Sequence, residues 1–211
     1  MRALFTFILL FLLTCRGIAQ TADSIHAKPD TLLLNNGKII IAHIIDTSGY
    51  TVDVIKNHGR EKIEVDKSDI FQITYGNSGK QVIIYIYDSL VNDQFTIPEA
   101  RIFIAGEQDA RRGFPALGAS IAGFVIGAGA AIISPVLAIP TPLLFAGIEY
   151  KHQYVKINHK SVRNMDNVTH DSYLRGYALG ARQKRLRRAL IWGGVGAVVG
   201  TVLHFTLFKS L

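Results

Sequence analysis

The side chains that could carry chemistry in this sequence are its histidines, a group of carboxylates and a single cysteine. The histidines are His26, His43, His58, His152, His159, His170 and His204. A hydrolytic zinc site needs closely spaced ligands, such as His-Glu-x-x-His on one helix face, and no two histidines have that spacing. His152 and His159 are seven residues apart and could share a helix face, although a solvated loop is the simpler interpretation. The histidines therefore predict no metal site.

Four carboxylates lie close together in the first half of the chain: Glu61, Glu64, Asp66 and Asp69. Paired acids can perform general acid–base catalysis, but these alternate with Lys62 and Lys67, which is typical of a solvated strand face. The sequence also contains neither the Gly-x-Ser-x-Gly turn of a catalytic serine nor a Gly-x-x-x-x-Gly-Lys-Ser/Thr phosphate loop. We therefore expect a protein that is not an enzyme, with no catalytic residue, cofactor or metal.

The N-terminus has the pattern of a secretory leader. Arg2 precedes an apolar run over residues 4–13, which is shorter than the ~20 residues that cross a bilayer. Gly17 and Ala19 supply the small residues at positions −3 and −1 of a cleavage site. We predict a signal peptide over residues 1–19, followed by a polar linker over residues 20–29.

Cys15 is the only cysteine, and it lies inside this leader. Cleavage after Ala19 leaves the mature chain without a thiol, which excludes disulfides, thiolate catalysis and thiolate metal sites. The alternative is lipoprotein processing at Cys15, because Leu-Leu-Thr-Cys resembles a lipobox in which threonine replaces the usual glycine, alanine or serine.

Short β-type runs begin at Asp30, and turn residues separate them every few residues. Asn35-Asn36-Gly37 between two apolar runs predicts a tight hairpin. The predicted strands cover residues 31–34, 38–46, 50–56, 62–65, 70–75 and 81–87, with one more over 101–105. Residues 30–105 are therefore predicted to form a small antiparallel β-barrel or sandwich of SH3-like or Sm-like size.

Two long apolar segments follow the β region. Residues 114–148 contain no charged side chain, and as one helix they would extend about 50 Å, well beyond the ~30 Å hydrocarbon core of a bilayer. Pro115 suits a first helical turn, and the next proline ends a stretch of bilayer length, which predicts a transmembrane helix over residues 115–134. A proline-containing tail and a basic loop or helix then occupy residues 135–188, before a second transmembrane helix over residues 189–208.

The net charge changes sign along the chain. Residues 21–100 carry 7 basic and 11 acidic side chains, whereas residues 151–188 carry 10 basic and 2 acidic ones. The leader places the β domain outside, and the positive-inside rule places a basic loop in the cytoplasm. We therefore expect two spans in the inner membrane, with the β domain in the periplasm; a three-span version would leave the basic segment outside. Because that segment adjoins an apolar one in an exported chain, its expected partner is anionic lipid and not nucleic acid.

Two sets of residues are candidate contact sites. Glycines four apart form a flat helix face that lets another backbone approach closely, and they stand in both predicted spans as Gly123, Gly127, Gly196 and Gly200. They predict packing of the two spans on each other or on a second copy, although glycine is also simply common in membrane helices. The basic set precedes the last span and is expected either to fix topology or to contact anionic headgroups: Arg182, Lys184, Arg185, Arg187 and Arg188.

Several short motifs occur in the order in which a known family has them. They are Asp-x-Ile-x-Leu-x-x-Gly at 30–37, where this chain has Leu32 in place of isoleucine, Ser-Asp-Ile-x-x-Ile-x-Tyr at 68–75, Gly-x-x-Asp-Ala at 106–110, Ser-Pro at 134–135, and Tyr173, Gly176, Tyr177, Ala181 and Lys184 before the last span. With these motifs the chain resembles a family of uncharacterised, signal-peptide-bearing membrane proteins of Bacteroidota. Ala42 and residues 111–113 depart from its pattern, where glycine and aromatic residues are expected. The resemblance implies the architecture, a small β domain followed by glycine-rich transmembrane segments, and no activity.

The sequence therefore predicts an α+β membrane protein that presents a small β domain to a protein or envelope partner, alone or as a homo-oligomer. The alternative is a pore-forming or transport-accessory membrane protein, in which the glycine-faced helices line or pack the path.

Overall fold

The computed structural model describes residues 28–56, 61–88, 90, 94–151 and 155–208. The predicted signal peptide, Cys15 and most of the predicted linker lie outside these residues, as do three histidines, His26, His58 and His152. The elements in chain order are β1 (Asp30–Leu34), β2 (Ile39–Asp46), β3 (Thr51–Lys56), β4 (Glu61–Asp66), β5 (Ile70–Thr74), β6 (Gln81–Ile83), α1 (Ile97–Gly113), α2 (Leu117–Ile133), α3 (Pro140–Lys151) and α4 (Asp171–Phe208). Strands followed by helices confirm the predicted α+β class.

The six strands form one antiparallel sheet in the order β4-β3-β2-β1-β5-β6. The predicted hairpin joins β1 to β2: the Leu34 N–H donates to the Lys38 carbonyl at 2.9 Å, and Gly37 takes a φ of 70° that favours glycine. Val52 and Val54 are fully buried in a core whose residues all come from the strands and their flanks, so the sheet curls around its own side chains. It remains open at β4 and β6, and the described strands do not close the predicted barrel.

Residues 101–105, predicted as a strand, lie in helix α1 instead. Thr96 caps the N-terminus of this helix, because its backbone N–H and hydroxyl donate to the Glu99 carboxylate at 2.9 and 2.7 Å. A proline occupies the first turn of the helix. Ala100 and Ile104 are then four residues apart on one face, where they cover Phe71 of β5. The Ile-Phe-Ile run at 102–104 has strand composition, but the cap and the helical spacing of the buried positions decide the structure.

Helix α4 has 38 residues and is about 57 Å long. It joins the end of the predicted basic loop or helix and the predicted span over 189–208 into one continuous element. Successive contacts move toward the C-terminus both on α4 and on the helix that it packs against. The contact pairs are Phe103 with Gly176, Glu107 with Gly180, Gly123 with Ala189, and Ala128 with Gly200. Both helices therefore run in the same direction as α4, and the chain bends by 60° between them.

Helix α3 returns in the opposite direction. Pro142 lies beside Gly193, whereas Ala146, one turn later, clusters with Ala189, one turn earlier on α4. Together, α2, α3 and the second half of α4 form a three-helix bundle, while α1 packs between the sheet and the first half of α4. Among the described helices, Asp171–Thr206 is long and apolar enough to cross a membrane, and α1 with α2 counts as a second candidate if the bent pair is one span.

The basic segment lies on the same side of the bundle as the sheet. Gln108 of α1 donates to the Gly37 carbonyl of the β1–β2 turn at 3.2 Å and accepts from the Arg163 guanidinium at 2.6 Å. A bilayer cannot pass between groups in hydrogen-bond contact. The predicted two-span topology places residues 30–105 and 151–188 on opposite faces of a membrane, whereas in this fold they are in contact through Gln108. Helices α2 and α4 run in the same direction, and α3 runs back between them.

Candidate functional site

Two buried carboxylates of α1 mark the place where the sheet, α1, α4 and the segment before α4 meet. Glu107 is fully buried and Asp109 is 1% exposed. Burying a charge is costly unless it is paired and hydrogen-bonded, so their surroundings decide what the site can do.

Asp109 is satisfied on both carboxylate oxygens. Oδ1 accepts from the Arg163 Nε at 2.8 Å and lies 3.3 Å from an Arg112 guanidinium nitrogen, while Oδ2 accepts from the Arg163 backbone N–H at 3.1 Å. The Tyr173 hydroxyl, also buried, donates to Oδ2 at 3.0 Å. Burial, together with the neighbouring carboxylate, raises the pKa of Tyr173, so its hydroxyl stays a donor. Asp109 thus ties α1, α4 and the segment before α4 together.

Glu107 is only half satisfied. One oxygen pairs with the Arg111 guanidinium at 3.1 Å, which in turn donates to the Gln183 side chain at 3.0 Å. The other oxygen has no hydrogen-bond partner among the described residues and lies against Gly37 of the β1–β2 turn. Burial raises the pKa of Glu107 in spite of the arginine beside it. No group of three metal-ligating side chains occurs among the described residues.

Stacked aromatic rings surround this cluster on the α4 side. Tyr173 and Tyr177 stack with ring centroids 6.2 Å apart, and Phe114 meets Tyr177 edge-on at 6.4 Å. The Tyr177 hydroxyl accepts from the Asn158 N–H at 2.9 Å, and the Asn158 side chain donates to the Gly113 carbonyl at 2.8 Å. These contacts fix the segment before α4 against the end of α1.

Glycines allow the backbones of α1 and α4 to touch beside the cluster. A Cβ at Gly106 would overlap the Tyr173 carbonyl oxygen, and one at Gly176 would overlap that of Phe103. A Cβ at Gly180 would lie 2.9 Å from the Glu107 carbonyl oxygen. The motif at 106–110 and the tyrosine–glycine motif at 173–184 therefore meet in one interface.

The four glycines predicted for helix packing lie between α2 and α4 of the same chain. A Cβ at Gly123 would lie 2.7 Å from the Ala189 carbonyl oxygen, and one at Gly127 would overlap that of Gly193. From the other side, Gly196 faces the Phe124 carbonyl and Gly200 that of Ala128. By contrast, a Cβ at Gly129 or Gly194 would meet nothing within 4 Å.

The five predicted basic residues separate into two groups. Lys184 donates to the Arg111 carbonyl at 2.8 Å, and the Arg185 guanidinium lies 5.0 Å from the centre of the Phe114 ring. Arg182 Nε is buried without a hydrogen-bond partner among the described residues. Arg187 and Arg188 are exposed. Arg182, Lys184 and Arg185 are therefore partly buried within the fold, whereas Arg187 and Arg188 face outward.

The outer surface of the bundle is strongly apolar. Its interior contacts are made by glycine and alanine, while large side chains of all three helices point outward: Leu117, Ile121, Val125, Ile133, Val136, Leu143, Leu144, Ile148, Val198 and Val202 are among those more than half exposed. Soluble monomers rarely expose a continuous apolar surface of this extent. The bundle therefore has the distribution expected of helices in lipid.

The burial of Glu107 and Asp109 and the role of Arg163 were not predicted from the sequence. The available signal was the short Gly-x-x-Asp-Ala motif together with the tyrosine–glycine spacing in α4. A scan of protein-family models, a search of curated proteins and a search of solved structures find no match to this chain.

Replacing the contact glycines should loosen the bundle. Gly127→Ala and Gly196→Ala place a methyl group against a backbone carbonyl, and we expect each to lower stability by about 1–3 kcal/mol. The matched variants Gly129→Ala and Gly194→Ala have open space, so helix propensity should stabilise them by up to about 1 kcal/mol. Thermal unfolding of the purified protein in detergent, followed by circular dichroism, measures both. Equal midpoints for all four variants would contradict the packing.

Asp109→Asn should destabilise the protein strongly. It removes the charge that pairs with Arg163 and weakens the acceptor of the buried Tyr173 hydroxyl, at a cost of about 3 kcal/mol. The control is Asp171→Asn, because Asp171 also pairs with an arginine, Arg175, but in an exposed ion pair that contributes less than about 1 kcal/mol. The same unfolding assay applies. Similar losses in the two variants would show that burial of Asp109 does not set its energetic role.

Proposed function

We propose that the protein is a membrane-anchored, non-enzymatic protein that holds a small β domain at a bilayer surface for contact with a protein or envelope partner. The observation that carries this proposal is the inverted surface of the helix bundle, with small residues inside and large apolar residues outside. Exposing this apolar surface to water costs a free energy of roughly 25 cal/mol per Å², and that cost disappears when the surface contacts lipid.

The lengths of the bundle helices fit a bilayer. Helix α2 has 17 residues, and α3 with the 3-10 turn before it covers a similar stretch, Pro135 to Lys151. At 1.5 Å per residue α2 extends about 25 Å, within the range of spans for a ~30 Å hydrocarbon core. Helix α3 itself has 12 residues and extends about 18 Å, so its crossing would need the 3-10 turn before it. Among the described residues of the bundle, the charged side chains lie at one end, at Arg111, Glu149, Lys151 and Arg182 to Arg188. We propose three crossings, with this end at the membrane interface.

The unbroken α4 makes the β domain a rigid extension of the anchor. Its first half packs on α1, α1 covers the sheet, and its second half continues into the bundle without a hinge. A domain held in this way presents one defined surface. On the outer face of the sheet, Ile39 and Ile41 are 56% and 62% exposed beside α1, and we propose them as the centre of the contact surface.

A pore through one copy is less well supported. The glycine contacts bring the backbones of α2 and α4 together, which leaves no water path between them within one chain. A pore would need several copies.

For orientation we propose that the β domain lies in the periplasm and the bundle in the inner membrane, because the leader exports the residues that follow it. The sheet and the basic segment then share the periplasmic side. Single cysteines at Tyr50 and Met165, both exposed, test this with a membrane-impermeant maleimide on intact spheroplasts. We expect both to be labelled, and Thr206→Cys, at the far end of α4, to be labelled only after permeabilisation. Labelling at Tyr50 and Thr206 but not at Met165 would favour two spans, and labelling at Thr206 alone would reverse the orientation.

A photo-crosslinking residue at Ile41 tests the contact surface in cells that produce the full-length protein. We expect a discrete adduct at Ile41 and none at Tyr50, which is 94% exposed but lies in the β2–β3 turn. An Ile41→Asp variant with a crosslinker at Ile39 should lose the adduct, because a charge disrupts an apolar contact. Equal adducts at Ile41 and Tyr50 would argue against a defined partner surface.

A further inference from the structure

A narrow apolar groove lies between α2 and α4 just beyond the basic end of the bundle. It has a volume of about 280 Å³ and is lined by Leu117, Ser120, Ile121, Phe124 and Trp192. Leu117 and Ile121 are 70% and 57% exposed. The groove thus opens onto the surface that we propose to face lipid.

Two arginines stand above this groove on the same face of α4. Arg185 and Arg188 precede Trp192 by seven and four residues, and helical geometry places all three within about 60° of one another around the axis. The Arg185 guanidinium is held over the ring of Phe114, which lies three residues before Leu117. Arg188 is exposed. The other exposed arginine, Arg187, points about 140° away from Trp192.

We infer that this surface is a binding site for an anionic phospholipid, with the phosphate at Arg185 and Arg188 and one acyl chain in the groove against Trp192. Charge complementarity selects the occupant. A positive site the size of a headgroup lies about one helical turn above a groove lined mostly by apolar side chains, with the Ser120 hydroxyl bonded to the Ala116 carbonyl. This arrangement matches the two ends of a lipid and not a free anion or a helix of a second copy. Guanidinium groups bind phosphate through paired hydrogen bonds. The inference rests on the proposed membrane location of the bundle.

Trp192 reports on its own groove because it is the only tryptophan of the chain. The purified full-length protein is reconstituted into phosphatidylcholine vesicles that contain increasing fractions of brominated phosphatidylglycerol or brominated phosphatidylcholine, since bromine quenches tryptophan fluorescence on contact. We expect the anionic lipid to quench at about a fivefold lower fraction than the zwitterionic one, the effect of roughly one basic contact. Arg188→Gln should reduce this preference to below about twofold, whereas the matched Arg187→Gln should retain it.

The possible outcomes separate this site from the membrane proposal. Equal quenching by the two lipids, or equal loss of preference in Arg187→Gln and Arg188→Gln, would overturn the site and leave a general basic flank. Protein that floats with the vesicles and resists carbonate extraction, but shows no quenching by either lipid, would show that a protein surface covers the groove, which also overturns the inference. Protein that neither floats nor is quenched would refute the membrane location itself.

Discussion

Helix α4 meets α1 and α2 through backbone atoms, because glycine stands at the points of closest approach. Gly176 and Gly180 face carbonyl groups of α1, and Gly196 and Gly200 face those of α2. A side chain at these points would push the helices apart, and the other contacts depend on that spacing. The distance between α1 and α4 lets the Tyr173 hydroxyl reach Asp109, and the position of α1 decides which part of the sheet is covered.

The two halves of helix α4 have different surfaces. In its first half α4 buries tyrosines and hydrogen-bonds to charged groups, as a soluble core does when polar groups are satisfied. In its second half it buries only small residues and exposes large apolar ones. Lys184 and Arg185 lie at the change, where one donates to the C-terminal turn of α1 and the other stacks on Phe114. These contacts lie where α1 gives way to α2, at the boundary between the two halves of α4.

Local signals in the sequence predicted local structure well. Asn35-Asn36-Gly37 gave the hairpin, and the uncharged stretches located α2 and the second half of α4. The strand prediction at 101–105 was wrong. It rested on the adjacent apolar residues Ile102, Phe103 and Ile104 and gave too little weight to the Thr96–Glu99 cap, which starts a helix. What could not be predicted is the pairing of residues far apart in the chain. Asp109 pairs with Arg163, 54 residues later in the chain, and nothing in either local sequence indicates this partner. The sequence therefore predicted neither the buried charge cluster nor the contact between the basic segment and the β domain.

The contact between Asp109 and Arg163 bears on how the protein would be oriented in a membrane. If the basic segment were independent of the β domain, the predicted leader and the positive-inside rule could both be satisfied by placing the segment and the domain on opposite faces of the membrane. Once Asp109 joins them, sheet and basic segment share a side, and the two rules oppose each other. The turn between α2 and α3 carries no charge, so that hairpin can enter a bilayer from either side without moving a charged group across it. In the proposed orientation the opposition falls on residues 151–188 alone, because their export would work against the membrane potential at about 2.3 kcal/mol per charge per 100 mV. The predicted leader would commit the preceding domain to export before this cost arises, and that order of events is our physical reason for proposing the basic segment outside.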